Sequence, residues 1–295
     1  MESILVIGAG FMGSGIAQVA AQSGYRVYLH DSNNEATERA LGNIRWSTEK
    51  LESKGQMKDT AKAVQARISA VKDLAIASKC EWVIEAVYED EKLKKGLFKE
   101  LEKICPAETI LASNTSSIRI TRLASDAQHP ERMVGLHFFG PVPLMLLVEV
   151  IKGEKTSGAV FKKSVDFILS LNKYPVQVMK DIPGFIMNRI SGTAFREALN
   201  LVEQGIATVQ DVDTGMKYGY GWTLGPFEMA DYAGLDVYQR VGQAFKAMGV
   251  EAYAPTSTLI DKMVQAGRLG KKVGKGFYNY TPEGGKTPFD TSQLK

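Results

Sequence analysis

The stretch Ile4-Leu5-Val6-Ile7-Gly8-Ala9-Gly10-Phe11-Met12-Gly13-Ser14-Gly15-Ile16 decides how this chain begins. Ile4 to Ile7 is a short apolar run suited to a strand buried on both faces. Apolar and small residues then recur at helical spacing from Ile16 through Val19 and Ala20 to Gly24. Between them stands a Gly-x-Gly-x-x-Gly turn in which each glycine has its own duty. Gly8 makes the tight turn, Gly10 lets a pyrophosphate approach the backbone, and Gly13 allows close packing of helix on strand. The helix N-terminus offers N–H groups and a positive dipole end to phosphates. Arg26 to His30 reads as a second strand, ending at Asp31. A carboxylate there accepts from a ribose 2′-hydroxyl and repels a 2′-phosphate, which favours NAD over NADP. The expected cofactor site is the turn Gly8, Ala9, Gly10, Phe11, Met12 and Gly13 with Asp31; the bland alternative is a glycine-rich turn with an incidental Asp.

Working outward, Arg67 to Val71, Trp82 to Val87 and Thr109 to Ala112 read as further strands. Asn33 to about Lys54 and Asp90 to Ile104 read as helices. Strands alternating with helices predict a parallel sheet covered on both faces. Ser157 to Leu171 repeats the pattern as a helix, followed by a strand from Pro175 to Met179. After Lys180-Asp181-Ile182-Pro183-Gly184 the character changes, and helices are expected over Phe185 to Gln204, Val209 to Tyr218, Glu228 to Ala247 and Ser257 to Ala266. The residues from Pro282 onward read as a polar tail. The predicted fold is therefore α/β: a Rossmann-type doubly wound sheet over residues 1–182, then an all-helical domain over 183–295.

Composition narrows the function classes. The chain has 295 residues, 44% of them hydrophobic and 23% charged, as in an ordinary soluble globular protein. A net charge of +3 is too small to argue for nucleic acid or a membrane surface as partner. Cys80 and Cys105 are too few for a disulfide framework or a metal site, so no metal is expected. No basic segment leads into a long apolar run, so no secretory leader is expected and the cytoplasm is the expected compartment.

Chemistry is concentrated in Gly135-Leu136-His137-Phe138-Phe139-Gly140-Pro141-Val142-Pro143-Leu144-Met145-Leu146-Leu147-Val148-Glu149-Val150. Pro141 and Pro143 forbid a regular helix. Leu136 to Phe139 and Leu147 to Ile151 can then be short strands that turn back beside each other and bring the imidazole to the carboxylate. A histidine held by a buried glutamate makes a proton-transfer group suited to neutral pH. From these residues alone a hydrogen-bonded core histidine is an equal alternative.

Further segments carry a resemblance over nearly the whole chain. They are Glu85-Ala86-Val87-Tyr88-Glu89-Asp90, Ala112-Ser113-Asn114-Thr115-Ser116-Ser117, Pro183-Gly184-Phe185-Ile186-Met187-Asn188-Arg189, Gly225-Pro226-Phe227-Glu228, and Gly270 to Tyr278. With the glycine motif and the His137 segment, in this order, the chain resembles the L-3-hydroxyacyl-CoA dehydrogenases, including the bacterial 3-hydroxybutyryl-CoA dehydrogenases. The resemblance implies reversible NAD-dependent oxidation of (S)-3-hydroxyacyl-CoA to 3-oxoacyl-CoA by a homodimer built through its helical domain. It implies that His137 is the general base and acid, oriented by Glu149. Ser116 would bind substrate near its reacting oxygen and also contact the cofactor, and Asn188 would hold the thioester part. Glu89 and Lys94 would contact the cofactor, and Ser47 and Lys54 the CoA moiety. Read without the resemblance, Ser116 is a helix cap, Asn188 a helix-face amide and Lys54 a solvated charge.

Two positions depart from the family pattern. Gly140 stands where relatives carry Asn in His-Phe-Phe-Asn-Pro, a residue that contacts the cofactor near its nicotinamide end. Leu146 likewise replaces a Lys common in relatives. With His137, Glu149, Ser116 and Asn188 all present, a competent enzyme is expected, with Gly140 in the cofactor site. The alternatives are a related hydroxyacid or sugar-acid dehydrogenase on the same two domains, and a non-catalytic NAD(H)-binding protein.

Overall fold

The structure is a computed structural model that describes residues 2–247, 249–250, 254 and 257–294. It divides into two compact units, Met1–Phe185 and Ile186–Lys295, parting three residues later than the sequence suggests. The first unit is built on one eight-stranded sheet. Its strands are β1 (Ser3–Ile7), β2 (Arg26–His30), β3 (Ile68–Val71), β4 (Trp82–Glu85), β5 (Ile110–Ser113), β6 (Met133–Phe138), β7 (Leu147–Ile151) and β8 (Tyr174–Val178). They lie in the order β3-β2-β1-β4-β5-β6-β7-β8. Six strands are parallel, β7 runs antiparallel to β6, and β8 follows β7 in parallel. Ile4, Leu5, Val6, Val83, Ile84, Leu111 and Ala112 are all fully buried. Near-continuous apolar strands are what a sheet covered on both faces requires.

The helices of this unit are α1 (Phe11–Gln22), α2 (Asn34–Ser53), α3 (Ala61–Gln65), α4 (Glu91–Ile104), α5 (Ile120–Leu123) and α6 (Gly158–Ser170). Their starts follow side-chain caps: Asn33 accepts from Glu35 N, Asp90 from Leu93 N and Ser157 from Val160 N. The short α3 and α5 and the 3-10 turn Leu74–Lys79 escape the sequence reading, because four to six residues are too few for a helical period to show. Cys80 and Cys105 are free and buried, and burial pushes their thiols up to about 12 and about 11, away from thiolate chemistry.

The second unit contains α7 (Met187–Glu203), α8 (Val209–Tyr220), α9 (Pro226–Ala233), α10 (Leu235–Ala247) and α11 (Thr258–Gln265). The single helix expected from Glu228 to Ala247 is two, because Gly234 takes φ +103° and ends α9. The tail from Pro282 is also corrected: it folds back. Strand β10 (Lys286–Pro288) pairs with β9 (Tyr278–Tyr280), and Phe289 and Leu294 pack against the helical core. Two buried aspartates organise this end. Asp213 accepts from Phe227 N and Glu228 N at the start of α9 and from Tyr278 Oη. Asp231, fully buried, accepts from Phe277 N, Tyr278 N and Tyr280 Oη. Gly276 is glycine because a Cβ there would stand 2.0 Å from Asp231 Oδ1.

A buried lysine closes the first unit beside β8. Lys173, 4% exposed, donates from Nζ to Val142 O (2.8 Å) and Met145 O (2.6 Å), in the loop that joins β6 to β7. Burial pulls its ammonium down to about 8 from the ordinary 10.5.

Two expectations follow. Asp231→Ala strands three donors in the core and is expected to cost about 3 kcal/mol or more, read as a fall in the urea midpoint. For Lys173, the unfolded chain holds a proton between pH 8 and 10.5 that the native state releases, so this residue's contribution to stability rises with pH across that window. Lys173→Met is expected to cost about 1–3 kcal/mol, since it strands two carbonyls. The gap to the unmodified protein should widen from about pH 7 to about pH 10. A gap that stays constant in melts across that range refutes the desolvated seat.

Candidate active site

The glycine turn lies at the carboxyl end of β1, the edge of a parallel sheet where ligands are held. Gly8 takes φ +101° and donates to His30 O at 2.8 Å. A Cβ there would stand 2.5 Å from Ala86 O, so the turn is pressed against the end of β4. A Cβ on Gly13 would meet Gly8 O at 1.7 Å, which sets α1 directly on the turn. Gly10 differs: nothing lies within 4 Å of a Cβ built there, and α1 starts beyond it without a side-chain cap. Open ground before an uncapped helix start is what a pyrophosphate needs. Asp31 is anchored by Ala9 N at 2.7 Å and Asn33 N at 2.9 Å, so its carboxylate is fixed at the end of β2. These residues fit a dinucleotide with a free ribose diol.

At the other half of the sheet, strand register performs the pairing. In the antiparallel pair β6–β7, His137 stands directly opposite Glu149. His137 Nδ1 is 2.7 Å from Glu149 Oε2; the histidine is 6% exposed and the glutamate fully buried. The imidazole is flanked by Phe139 (centroids 4.5 Å apart) and Phe185 (5.8 Å). Phe185 is buried in a left-handed conformation, φ +49°, a strained state for a bulky residue. That kink also delays the start of α7 to Met187, two residues after the expected Phe185.

Between these halves, the ends of β4 and β5 are joined by a buried polar cluster. Lys94 is 1% exposed and puts Nζ 2.6 Å from Glu85 Oε1 and 3.3 Å from Glu89 Oε2. Glu85, fully buried, also accepts from Ser113 Oγ and Val87 N. Glu89 Oε1 accepts from Thr115 Oγ1, Ser116 N, Ser117 N and Ser117 Oγ. Burial works to raise the Glu89 carboxyl, but Lys94 and the Thr115 and Ser117 hydroxyls outweigh it and hold it below its ordinary value. Glu89 thus grips the turn that carries Ser116, and Lys94 holds Glu89. Asn114 Oδ1 in turn accepts from Phe138 N, the residue after His137.

The structure therefore brings together His137 with Glu149, and Ser116 with Glu89 and Lys94, and it sets Gly140 against Phe11 and Met12. Ser47 and Lys54 lie apart on α2, seven residues and so two turns from each other on one stripe, the first half-buried and the second exposed at the C-cap. Asn188 is the second residue of α7, in the other unit. Glu85, Asn114, Thr115 and Lys173 were missed in the sequence. A lone acid ending the apolar run Trp82-Val83-Ile84-Glu85 was the one available signal; Lys173 reads as an ordinary charge.

Both units have counterparts among known proteins. Residues 3–182 match the model for the 3-hydroxyacyl-CoA dehydrogenase NAD binding domain, and residues 184–280 the model for the 3-hydroxyacyl-CoA dehydrogenase C-terminal domain. The chain is 44% identical over 276 residues to a probable 3-hydroxybutyryl-CoA dehydrogenase of Deinococcus radiodurans, covering 93% of this chain and 99% of the relative. It is 40% identical over 290 residues to the human mitochondrial hydroxyacyl-coenzyme A dehydrogenase, covering 95% and 91%. The crystal structure of 3-hydroxybutyryl-CoA dehydrogenase from Escherichia coli superposes with a TM-score of 0.88 at 38% identity. That match covers 94% of this chain and 59% of the longer E. coli chain. With both of its units matched in order and an NAD cradle in the first, the chain belongs to the 3-hydroxyacyl-CoA dehydrogenase family.

Proposed function

We propose that the chain oxidises (S)-3-hydroxyacyl-CoA thioesters reversibly to 3-oxoacyl-CoA, with His137 as the group that moves the proton. The observation that carries this is the buried 2.7 Å pairing of His137 Nδ1 with Glu149, on the same sheet as the dinucleotide turn. Glu149 accepts a hydrogen bond from Nδ1–H, which fixes the tautomer and leaves Nε2 as the acceptor. A carboxylate on the far nitrogen also stabilises the imidazolium that forms when Nε2 receives the proton of the substrate 3-hydroxyl. Bound NAD⁺ supplies the acceptor for the hydride that leaves C3. In the reverse direction His137 returns the proton to the 3-oxo oxygen.

The remaining roles rest on position. Ser116 sits on a turn whose residues 115, 116 and 117 all donate to Glu89, which suits a hydroxyl that must meet the reacting oxygen in one orientation. Glu89, Lys94 and Gly140 are assigned to the cofactor side, Ser47 and Lys54 to the CoA moiety, and Asn188 to the thioester end. An exposed lysine on a half-polar helix suits a phosphate as a point charge. The helical unit, residues 183–295 on the sequence reading, is assigned the dimer contact. Within that unit Leu199 is used in the unit's own core, whereas Ile190 is 58% exposed. No helix among the described residues is long and apolar enough to cross a membrane, and a cytoplasmic site of action is our reading.

His137→Gln is expected to lower kcat by about a thousandfold or more while NADH binding by fluorescence titration stays within about threefold. A near-normal kcat in that variant removes histidine from the mechanism. Acetoacetyl-CoA should be reduced by NADH at least about a hundredfold more efficiently than free acetoacetate, because the thioester adds contacts for binding. Equal efficiency points instead to a free hydroxyacid as substrate.

A further inference from the structure

Gly140 and Phe11 meet in a way that neither residue announces. Gly140 lies three residues beyond His137, in the loop that joins β6 to β7. A Cβ built on it would stand 2.5 Å from Phe11 Cε1, 3.3 Å from Phe11 Cζ and 3.4 Å from Met12 Sδ. Phe11 is the first residue of α1 and its side chain is mostly in solvent, 68% exposed. We propose that Phe11 and Gly140 are a size-matched pair that seats the His137 loop on the cofactor helix, which makes Phe11 a positioning residue for the dinucleotide.

The loop has little freedom to retreat from the ring. Val142 is 1% exposed and packs on α1 so closely that a Cβ on Gly15 would stand 2.8 Å from Val142 Cβ. Lys173 holds the carbonyls of Val142 and Met145 from behind. A side chain at position 140 therefore displaces the ring rather than the loop. Phe11 can yield because it is exposed, and the open ground next to it is the uncapped helix start at Gly10, where the phosphates of a dinucleotide would lie. The cost of the clash thus falls on cofactor binding and little of it on folding. Restoring an amide by Gly140→Asn alone places it against the ring. The ring of Phe11 fills the space that a side chain at 140 would need, and the two positions act as one unit.

This inference rests on the reading of Gly8 to Gly13 as the NAD cradle, and titration of the unmodified chain with NADH tests that reading separately. If the unmodified chain fails to bind NADH, the cradle reading falls and the inference with it. The decisive measurement is a double-mutant cycle on Phe11→Ala and Gly140→Ala, with Gly140→Asn alongside. It is read by NADH affinity, by the melting temperature without cofactor, and by kcat and KM. Gly140→Ala and Gly140→Asn should each weaken NADH by about tenfold with a melting temperature within about 2 °C of the unmodified protein. Phe11→Ala should weaken it by about threefold, and adding Gly140→Ala to Phe11→Ala should change affinity by less than about twofold. Losses that multiply across the cycle show independent positions and overturn the pairing. So does a Gly140→Ala protein that binds NADH normally. A fall of more than about 5 °C in the melting temperature of Gly140→Ala overturns it too, since the loop and not the ring would have moved.

Discussion

At Gly13 a methyl group would stand 1.7 Å from the carbonyl oxygen of Gly8, and at Gly15 it would stand 2.8 Å from Cβ of Val142. Helix α1 is therefore set against its own turn and against the β6–β7 loop at distances only glycine permits. Both halves of the candidate site depend on this approach. On one side it presses Gly8 against Ala86 at the end of β4 and aims the helix start at the open ground over Gly10. On the other it buries Val142 and thereby fixes the loop that leads from His137 to Glu149. Dinucleotide turn and proton-transfer pair are two ends of one packed layer. A change of a single methylene there is felt at both, because closely packed interiors transmit strain.

Buried carboxylates supply the second level of order. Glu149 faces His137, Glu85 holds Lys94, which reaches out to the more exposed Glu89, and Asp181 accepts from Thr121 N and Thr121 Oγ1 near the end of the first unit. Asp213 and Asp231 do the same for backbone N–H groups of the second. A buried ion pair adds little net stability, since desolvation offsets most of the attraction. What such groups provide is geometry, because leaving any one donor unpaired in the interior costs about 1–3 kcal/mol. Ser116 and His137 are carried on segments anchored in this way, with Asn114 linking the turn after β5 to the end of β6. Placing reactive groups on anchored segments reduces the reorganisation required at the moment of reaction.

Much of this is legible in the amino-acid sequence. The strand–turn–helix at Gly8 to Gly13 is contiguous, so spacing and residue type are sufficient to read it. The His137–Glu149 pair is twelve residues apart across two prolines, close enough for a turn-back to be inferred, though these residues alone do not separate a core histidine from a catalytic one. Other features were hidden for definite reasons. Lys173 looks like any surface lysine, and only its burial under the carbonyls of Val142 and Met145 gives it a role. The tail after Pro282 is polar in composition, yet a short antiparallel pairing and Phe289 hold it down. Nor does the sequence show that Glu89 grips the Ser116 turn while Lys94 holds Glu89.

By itself, then, the sequence determined the local elements, the NAD-type turn and the identities of the reactive side chains, because these depend on period, residue type and short spacing. Tertiary structure alone decided what those side chains lean on. That Gly140 has an aromatic ring in place of its missing side chain follows from packing between residues 129 positions apart, which no local pattern encodes. The physical reason is that excluded volume acts in space and not along the chain: a glycine records only that something must fit, and the folded neighbours determine what it is.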